Sequence, residues 1–280
     1  IRKAQNSEES YCVAGRNLVW PMIVVSLFAS NMSSITLIGL AESGYADGFA
    51  VFSYEWMASV VLIIFAIFFL PYYLKSKIYT IPEFLEKRYS KESRYYFSFI
   101  TIILIVFIDI ASTLFAGSVL VKMVFPNLTI TQIVWMISIF AMFYTLLGGL
   151  SSVVYTDAVQ AVLLVSGSII ITVIAYNKVG GWDGITANIE PVNLTVIRSA
   201  DSDVLSWHGL FSGGFILGFS FWVTNQFITQ RPLASKSMFE GQQGAVFAGF
   251  LKMITLFTMV LPGVMANILH RVLGSAKLSC

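Results

Sequence analysis

Long apolar runs constrain this chain more than any other feature. A helix that crosses a bilayer needs roughly 20 mostly apolar residues. Seven stretches approach or exceed that length, at 19–40, 49–74, 95–125, 131–147, 152–176, 210–228 and 245–269. A transmembrane β-barrel would instead show alternating segments of about 10 residues. The spacing therefore predicts an all-α polytopic membrane protein. Charged residues make up 11% of the 280 residues and hydrophobic residues 57%, so too little charge remains to cover a water-facing surface of ordinary size. A soluble enzyme, a disordered tail and a collagenous chain are excluded. The formal net charge of +2 gives no basic excess for nucleic acid, and Cys12 and Cys280 make neither a disulfide framework nor a metal spacing.

The connectors orient the predicted helices. Lys75, Lys77, Lys87, Arg88, Lys91 and Arg94 crowd one connector, Arg2, Lys3 and Arg16 the N-terminal tail, and Arg231 and Lys236 the connector after the sixth stretch. Alternating spans put these three on one side, and basic residues favour the cytoplasm. The reading is an N-terminal segment inside, the 177–209 connector outside, and a multi-pass protein of the plasma membrane, or of the inner membrane in a bacterium. The sequons at Asn127 and Asn193 fall on the outside but arise often by chance. Residues 78–88 read as an amphipathic surface helix, with Thr80 as cap, Pro82 in the first turn and Glu83 placed for a capping box.

Ionisable side chains inside apolar stretches are costly and mark cavities or partners. Glu42, Glu55, Asp109, Asp157 and Lys252 qualify, and Lys122 sits near a helix end where it can snorkel. Glu55 and Lys252 suit a neutralising pair or two groups that hydrogen-bond a polar solute. Asp157, beside Thr156, reads either as a cation or proton site or as the cap of a fifth helix that starts there. Asp109 has no local partner in the sequence, and Glu42 reads as solvated. The first stretch is polar in its middle, through Ser26, Ser30, Asn31, Ser33, Ser34 and Thr36. Such residues bridge packed helices or support an unwound stretch whose carbonyls coordinate sodium. Gly148-Gly149 and Gly213-Gly214 allow bends. No glycine loop cradles a phosphate, His208 and His270 are isolated, and no nucleophile–base pair is evident, so catalysis is not expected.

Several short stretches together carry a resemblance. They are Ala29-Ser30-Asn31, Ser53-Tyr54-Glu55-Trp56-Met57, Tyr79-Thr80-Ile81-Pro82-Glu83-Phe84, Gly148-Gly149-Leu150-Ser151 with Thr156-Asp157, Asn225-Gln226 with Gln230-Arg231, and Phe250-Leu251-Lys252. In this order and spacing the chain resembles the sodium/solute symporter family, most closely its bacterial sodium/galactose members. The resemblance implies a core of two inverted five-helix repeats that alternates access around a midplane site. It implies a cytoplasmic segment at 1–18, the first repeat at 19–176 with its first helix broken, an extracellular loop at 177–209, two helices of the second repeat at 210–269 and a truncated tail at 270–280. The family helix before the core and the last three core helices are expected to be missing.

The resemblance also implies roles. Sodium, the co-transported ion, is held in part by backbone carbonyls at Ala29 and Met32, its hydroxyl ligands coming from a helix beyond those read here. Asp157 matches a second cation or proton site. Asn31, Glu55, Lys252 and Trp222 match solute-binding positions, with Thr36 where the galactose transporters carry a longer amide. Leu40 and Tyr54 match outer-gate positions, and Phe221 an inner-gate tyrosine. Ala58 and Gly218 replace a hydroxyl and an amide, which shifts the pattern of hydroxyl-reading groups. The expected function is sodium-coupled import of a sugar or polyol, with a small polar solute and the lipid bilayer as partners and no nucleic acid. Two alternatives stay open: a symporter of the same family for a non-sugar solute, and a truncated, non-transporting form that acts through a full-length partner.

Overall fold

The computed structural model describes residues 13–278, and every element among them is helical apart from two isolated bridges, Leu18 to Ser235 and Arg198 to Ser206. Cys12, Cys280 and the basic residues Arg2 and Lys3 lie outside the described residues. The first stretch is broken, one of the two readings its polar middle allows and the one the resemblance implies. Helix α1 (Trp20–Asn31) ends where Met32 takes φ −88°, ψ 73°, and α2 (Ser34–Asp47) starts after extended Ser33. Ser and Asn side chains compete for backbone partners, and the polar run satisfies the cut ends in that way. Ser33 Oγ accepts from the Thr36 N–H at 3.3 Å, and the Thr36 hydroxyl donates to the Asn31 carbonyl at 2.8 Å.

The second stretch runs as α3 (Phe52–Ile64), a π-helical segment Phe65–Phe69 and α4 (Leu70–Lys75). The surface helix α5 (Ile81–Arg88) follows, capped by Thr80, whose hydroxyl accepts from the Glu83 N–H at 3.3 Å. Glu83 itself reaches the N–H of Tyr79 at 2.8 Å rather than that of the cap residue. The third stretch is α6 (Lys91–Leu104), a π segment Ile105–Ile110 and α7 (Ala111–Val124).

The sequence separates the fourth and fifth stretches at Gly148-Gly149, but they join in one helix, α8 (Ile130–Val179). Glycine permits a break without forcing one, because it keeps its N–H. Fifty residues at 1.5 Å each give about 75 Å, more than twice a bilayer core of about 30 Å. Asp157 therefore lies inside a helix and caps nothing.

The 177–209 connector is more ordered than its composition predicts. It holds α9 (Gly181–Asn188), whose Ile185 is fully buried, and a 3-10 turn Pro191–Leu194. Arg198 ties it down through the Asn193 side chain at 2.9 Å and the Asp47 carbonyl.

The sixth stretch is broken as well, and not at its glycine pair. After a π segment Leu210–Gly214, α10 (Phe215–Phe219) and a π segment Ser220–Thr224, extended Asn225 caps α11 (Gln226–Leu233). Its side chain accepts from the Phe227 N–H at 3.0 Å. The seventh stretch is α12 (Met238–Lys252), a π segment Leu256–Val260 and α13 (Leu261–Leu278), so the tail expected from 270 continues as helix through Leu278. Among the described residues four helices are long and apolar enough to cross a membrane, Ile35–Lys75, Lys91–Val124, Val153–Val179 and Met238–Arg271, with Trp20–Asn31 and Ile130–Phe143 shorter apolar helices. The breaks at Met32 and Asn225 account for two of the stretches that fall short of this length.

Two apolar clusters form the core. Ile23, Leu27, Val61, Phe65, Leu70 and Ala248 belong to one, and Phe28, Met32, Phe52, Met259, Val264 and Met265 to the other, with partly buried Trp56 packed against both. Small residues let backbones touch where α2 meets α13, as between packed membrane helices generally. A Cβ on Gly44 would stand 2.5 Å from the Val260 carbonyl oxygen, and one on Gly263 would strike the Ala41 carbonyl.

Candidate functional site

The cut end of α1 builds the site. Asn31 is the last residue of that helix, and its Oδ1 accepts a hydrogen bond from the Lys252 ammonium. Lys252, at the end of α12, also pairs with Glu55 in the first turn of α3. The Trp222 ring lies under the same ammonium, its centroid 4.9 Å from Nζ. Lys252 is 1% exposed, Trp222 3% and Glu55 8%, so this charge pair is withdrawn from bulk solvent. Phe221 meets Trp222 edge to face at 5.2 Å.

These groups face a cavity of about 580 Å³, within the range of small-molecule sites. Asn31, Tyr54, Glu55, Phe221, Trp222 and Lys252 are among its lining residues. Ala58 and Gly218 line it as well, so these two positions, where a hydroxyl and an amide are replaced, stand in the wall itself. Tyr54 also borders a second cavity of about 350 Å³ against Ser202, Asp203 and Leu205 of the 177–209 connector. Backbone irregularity concentrates here: the π segments Ile105–Ile110 and Ser220–Thr224, the break at Asn31 and the cap residue Asn225 all contribute to the lining. Single π turns inside helices recur at functional sites.

Other predicted residues lie elsewhere. Ala29 and Met32 are buried at the break, and the Ala29 carbonyl accepts the Met32 N–H at 3.1 Å. Thr36 and Leu40 are not among the cavity's lining residues. The Thr36 hydroxyl is engaged by the Asn31 carbonyl, and Leu40 is buried in the second apolar cluster.

Asp157 forms a separate polar centre on the other face of α1. Its Oδ2 accepts from Ser26 Oγ at 2.7 Å, from Ser30 Oγ at 3.0 Å and from Arg231 Nη2 at 3.1 Å. Arg231 Nε donates to Ser26 Oγ at 2.7 Å, and Nη1 to the Phe227 carbonyl. Arg231 is 2% exposed. The sequence places Arg231 in the connector after the sixth stretch, where it counts only toward orientation; in the structure the guanidinium is buried and paired with the carboxylate. Asn225 was also missed, although an Asn within an apolar run is itself a cap signal.

The model of the Sodium:solute symporter family matches residues 11–278. The chain is 37% identical over 275 residues to a sodium/glucose cotransporter of Vibrio parahaemolyticus, covering 95% of this chain and 50% of that protein. It is 32% identical over 293 residues to sodium/glucose cotransporter 1 of Mus musculus, covering 96% of this chain and 43% of that protein. It thus spans about half the length of the curated relatives it matches. Among solved structures it superposes on the substrate-bound, outward-open state of a sodium-coupled sialic acid symporter with a TM-score of 0.86 at 23% identity, over 98% of this chain and 57% of that one, which shows the fold. A broken first helix, a buried Glu55–Lys252 pair beside a solute-sized cavity and a family match along nearly the whole length lead to one statement: this chain belongs to the sodium:solute symporter family.

Proposed function

We propose that this chain forms the solute- and sodium-binding part of a secondary active symporter, one that imports a sugar or polyol on a sodium gradient by alternating access. The observation that carries the reading is Lys252, which holds Asn31 at the end of the broken helix and Glu55 across the same cavity. An amide, a carboxylate and an ammonium in one apolar pocket offer donors and acceptors to a hydroxyl-rich solute, and Trp222 offers a flat apolar face to a sugar ring. A site built to hydrogen-bond hydroxyls rejects analogues that lack them, because its own polar groups are then left unpaired.

Sodium, as cargo, takes the carbonyls of Ala29 and Met32 where the backbone unwinds. Thr36 acts on the solute through Asn31, whose carbonyl it holds. Tyr54 and Leu40 close the outer side and Phe221 the inner side. Asp157 serves a second cation or a proton, which has to compete with the Arg231 guanidinium for the carboxylate. The N-terminal segment to residue 18 is cytoplasmic and 177–209 extracellular. Solute and sodium promote each other's binding, since coupling between sites is reciprocal.

The test is uptake into proteoliposomes by the protein produced from its own complete reading frame. A panel of labelled sugars, polyols, amino acids and monocarboxylates is offered with and without an inward sodium gradient. Sodium-dependent accumulation of a sugar or polyol, abolished in Glu55→Gln, is expected. Accumulation of only a carboxylate or an amino acid would replace the sugar reading with the non-sugar one.

A further inference from the structure

The solute cavity has a carboxylate that the symport reading does not use. Asp109 lies near the middle of the apolar helix Lys91–Val124, on the π segment Ile105–Ile110, and lines the cavity together with Thr101, Ile105 and Ile108. A carboxylate at mid-span is costly against hydrocarbon, and such groups face cavities or partners. The Asp109 side chain has no hydrogen bond or ion pair among the described residues, and only its backbone carbonyl is engaged, by the Ser112 hydroxyl at 3.2 Å.

Charge in the cavity is therefore lopsided. Its lining holds two carboxylates, Glu55 and Asp109, and one ammonium, Lys252. Lys252 is already committed to Glu55, Asn31 and the Trp222 face. The formal charge left over is that of Asp109, which is exposed at the cavity's open side and whose field reaches over several ångströms.

Resting on the symport reading, we infer that Asp109 is a solute-reading carboxylate. It sets the charge class of the solute, admitting neutral polyhydroxy compounds and their amino derivatives and excluding acidic sugars. The rest of the wall supports this. Phe97, Ile100, Leu104 and Leu217 bring no charge, so no other group in the lining offsets Asp109. Asp109 sits on a π segment, a backbone irregularity that recurs at functional sites.

The experiment compares three probes as competitors of labelled neutral-sugar uptake in proteoliposomes: glucose, glucuronate and glucosamine. The unaltered protein, from its complete reading frame, is measured first. Glucosamine and glucose are expected to compete well and glucuronate poorly. Failure of any neutral sugar or polyol to be taken up would overturn the symport reading and this one with it, and is recognised before any variant is compared. In Asp109→Asn, competition by glucuronate relative to glucose should rise about tenfold or more, and the advantage of glucosamine should fall. Asp109→Glu, which keeps the charge, should discriminate like the unaltered protein. An unchanged glucuronate-to-glucose ratio in Asp109→Asn overturns the inference. Where Asp109→Asn transports nothing, the same ratio is read by probe binding to the solubilised protein. Loss of binding in both variants overturns the inference; loss in Asn with retention in Glu supports it.

Discussion

Two buried acid–base pairs hang on the same broken helix, and they differ in what else they touch. Glu55 and Lys252 join α3 to α12 and open onto the cavity of about 580 Å³, with Asn31 and Trp222 sharing the ammonium. Asp157 and Arg231 join α8 to α11, and neither is among the residues lining that cavity. The first pair takes hold of the cut end of α1, the second of its body through Ser26 and Ser30. Removing one partner of a buried pair strands the other charge and typically costs about 3–5 kcal/mol, while removing both is often nearly neutral. The difference teaches that burial and charge alone do not identify a solute site. What sets the Glu55–Lys252 pair apart is the open cavity that it lines.

The largest effect is expected from Lys252→Ala, which leaves Glu55 and Asn31 without their shared donor. Solute kcat/KM in proteoliposomes should fall about 100-fold or more, consistent with that cost. Activity within a few fold of the unaltered protein would erase the contrast between the pairs. The second effect sharpens it. Asp157→Asn strands Arg231 and should lower stability by about 3 kcal/mol, read as a drop in melting temperature, whereas adding Arg231→Gln should restore most of it. If Asp157 also serves a cation, the double variant regains stability while its sodium half-saturation stays raised; full recovery of both marks the pair as structural only.

A smaller effect is expected at Trp222→Leu. Loss of the cation–π contact, worth about 0.5–2 kcal/mol, should weaken solute affinity about 3- to 30-fold with sodium half-saturation unchanged. Next comes Thr36→Val, which orphans the Asn31 carbonyl. About 1 kcal/mol of stability should be lost while the order of preferred solutes stays the same. A reordered solute panel would show that Thr36 meets solute directly.

The smallest belongs to an exposed comparator, the Glu83–Lys87 pair at 2.8 Å on α5. Partial burial of Glu83 raises its pKa, but the hydrogen bond from Lys87, the Tyr79 N–H and the Lys87 and Arg94 charges outweigh it and hold the carboxyl below its ordinary value. A lowered carboxyl pKa contributes stability above the unfolded value and loses it as pH falls through the folded one. Melting temperature should therefore fall slightly more steeply below about pH 4.5 in the unaltered protein than in Glu83→Gln.

Some of this was legible from residue type alone. Glu55 and Lys252 stood out because charge in an apolar stretch demands a partner, and the first break followed from a polar run that competes for backbone hydrogen bonds. Arg231 was not legible, because a base just past an apolar stretch looks the same whether it meets water or folds back onto a carboxylate 74 residues away in sequence. The place of the second break was not legible for a related reason. Gly213-Gly214 offered flexibility, but the chain breaks where Asn225 supplies a cap, since a cut helix in an apolar setting needs a hydrogen-bond partner more than it needs freedom. The joining of α8 across Gly148-Gly149 follows the same logic: glycine alone gave no substitute partner for the backbone.

The contact between α2 and α13 has a mechanical consequence. Gly44 meets the carbonyl of Val260, the last residue of the π segment, and Gly263 meets the Ala41 carbonyl, so backbone packs directly on backbone with only the Val260 side chain beside Gly44. Sliding one helix along the other would drive carbonyl oxygens into Cα atoms, so the pair has no shear coordinate and swings as a single lever. Each arm of that lever begins right after an irregular stretch, α2 after Met32 and Ser33, α13 after the π segment Leu256–Val260. The two joints lie at the same end, so a bend at one without the other would tear the glycine seam, and they have to flex in step.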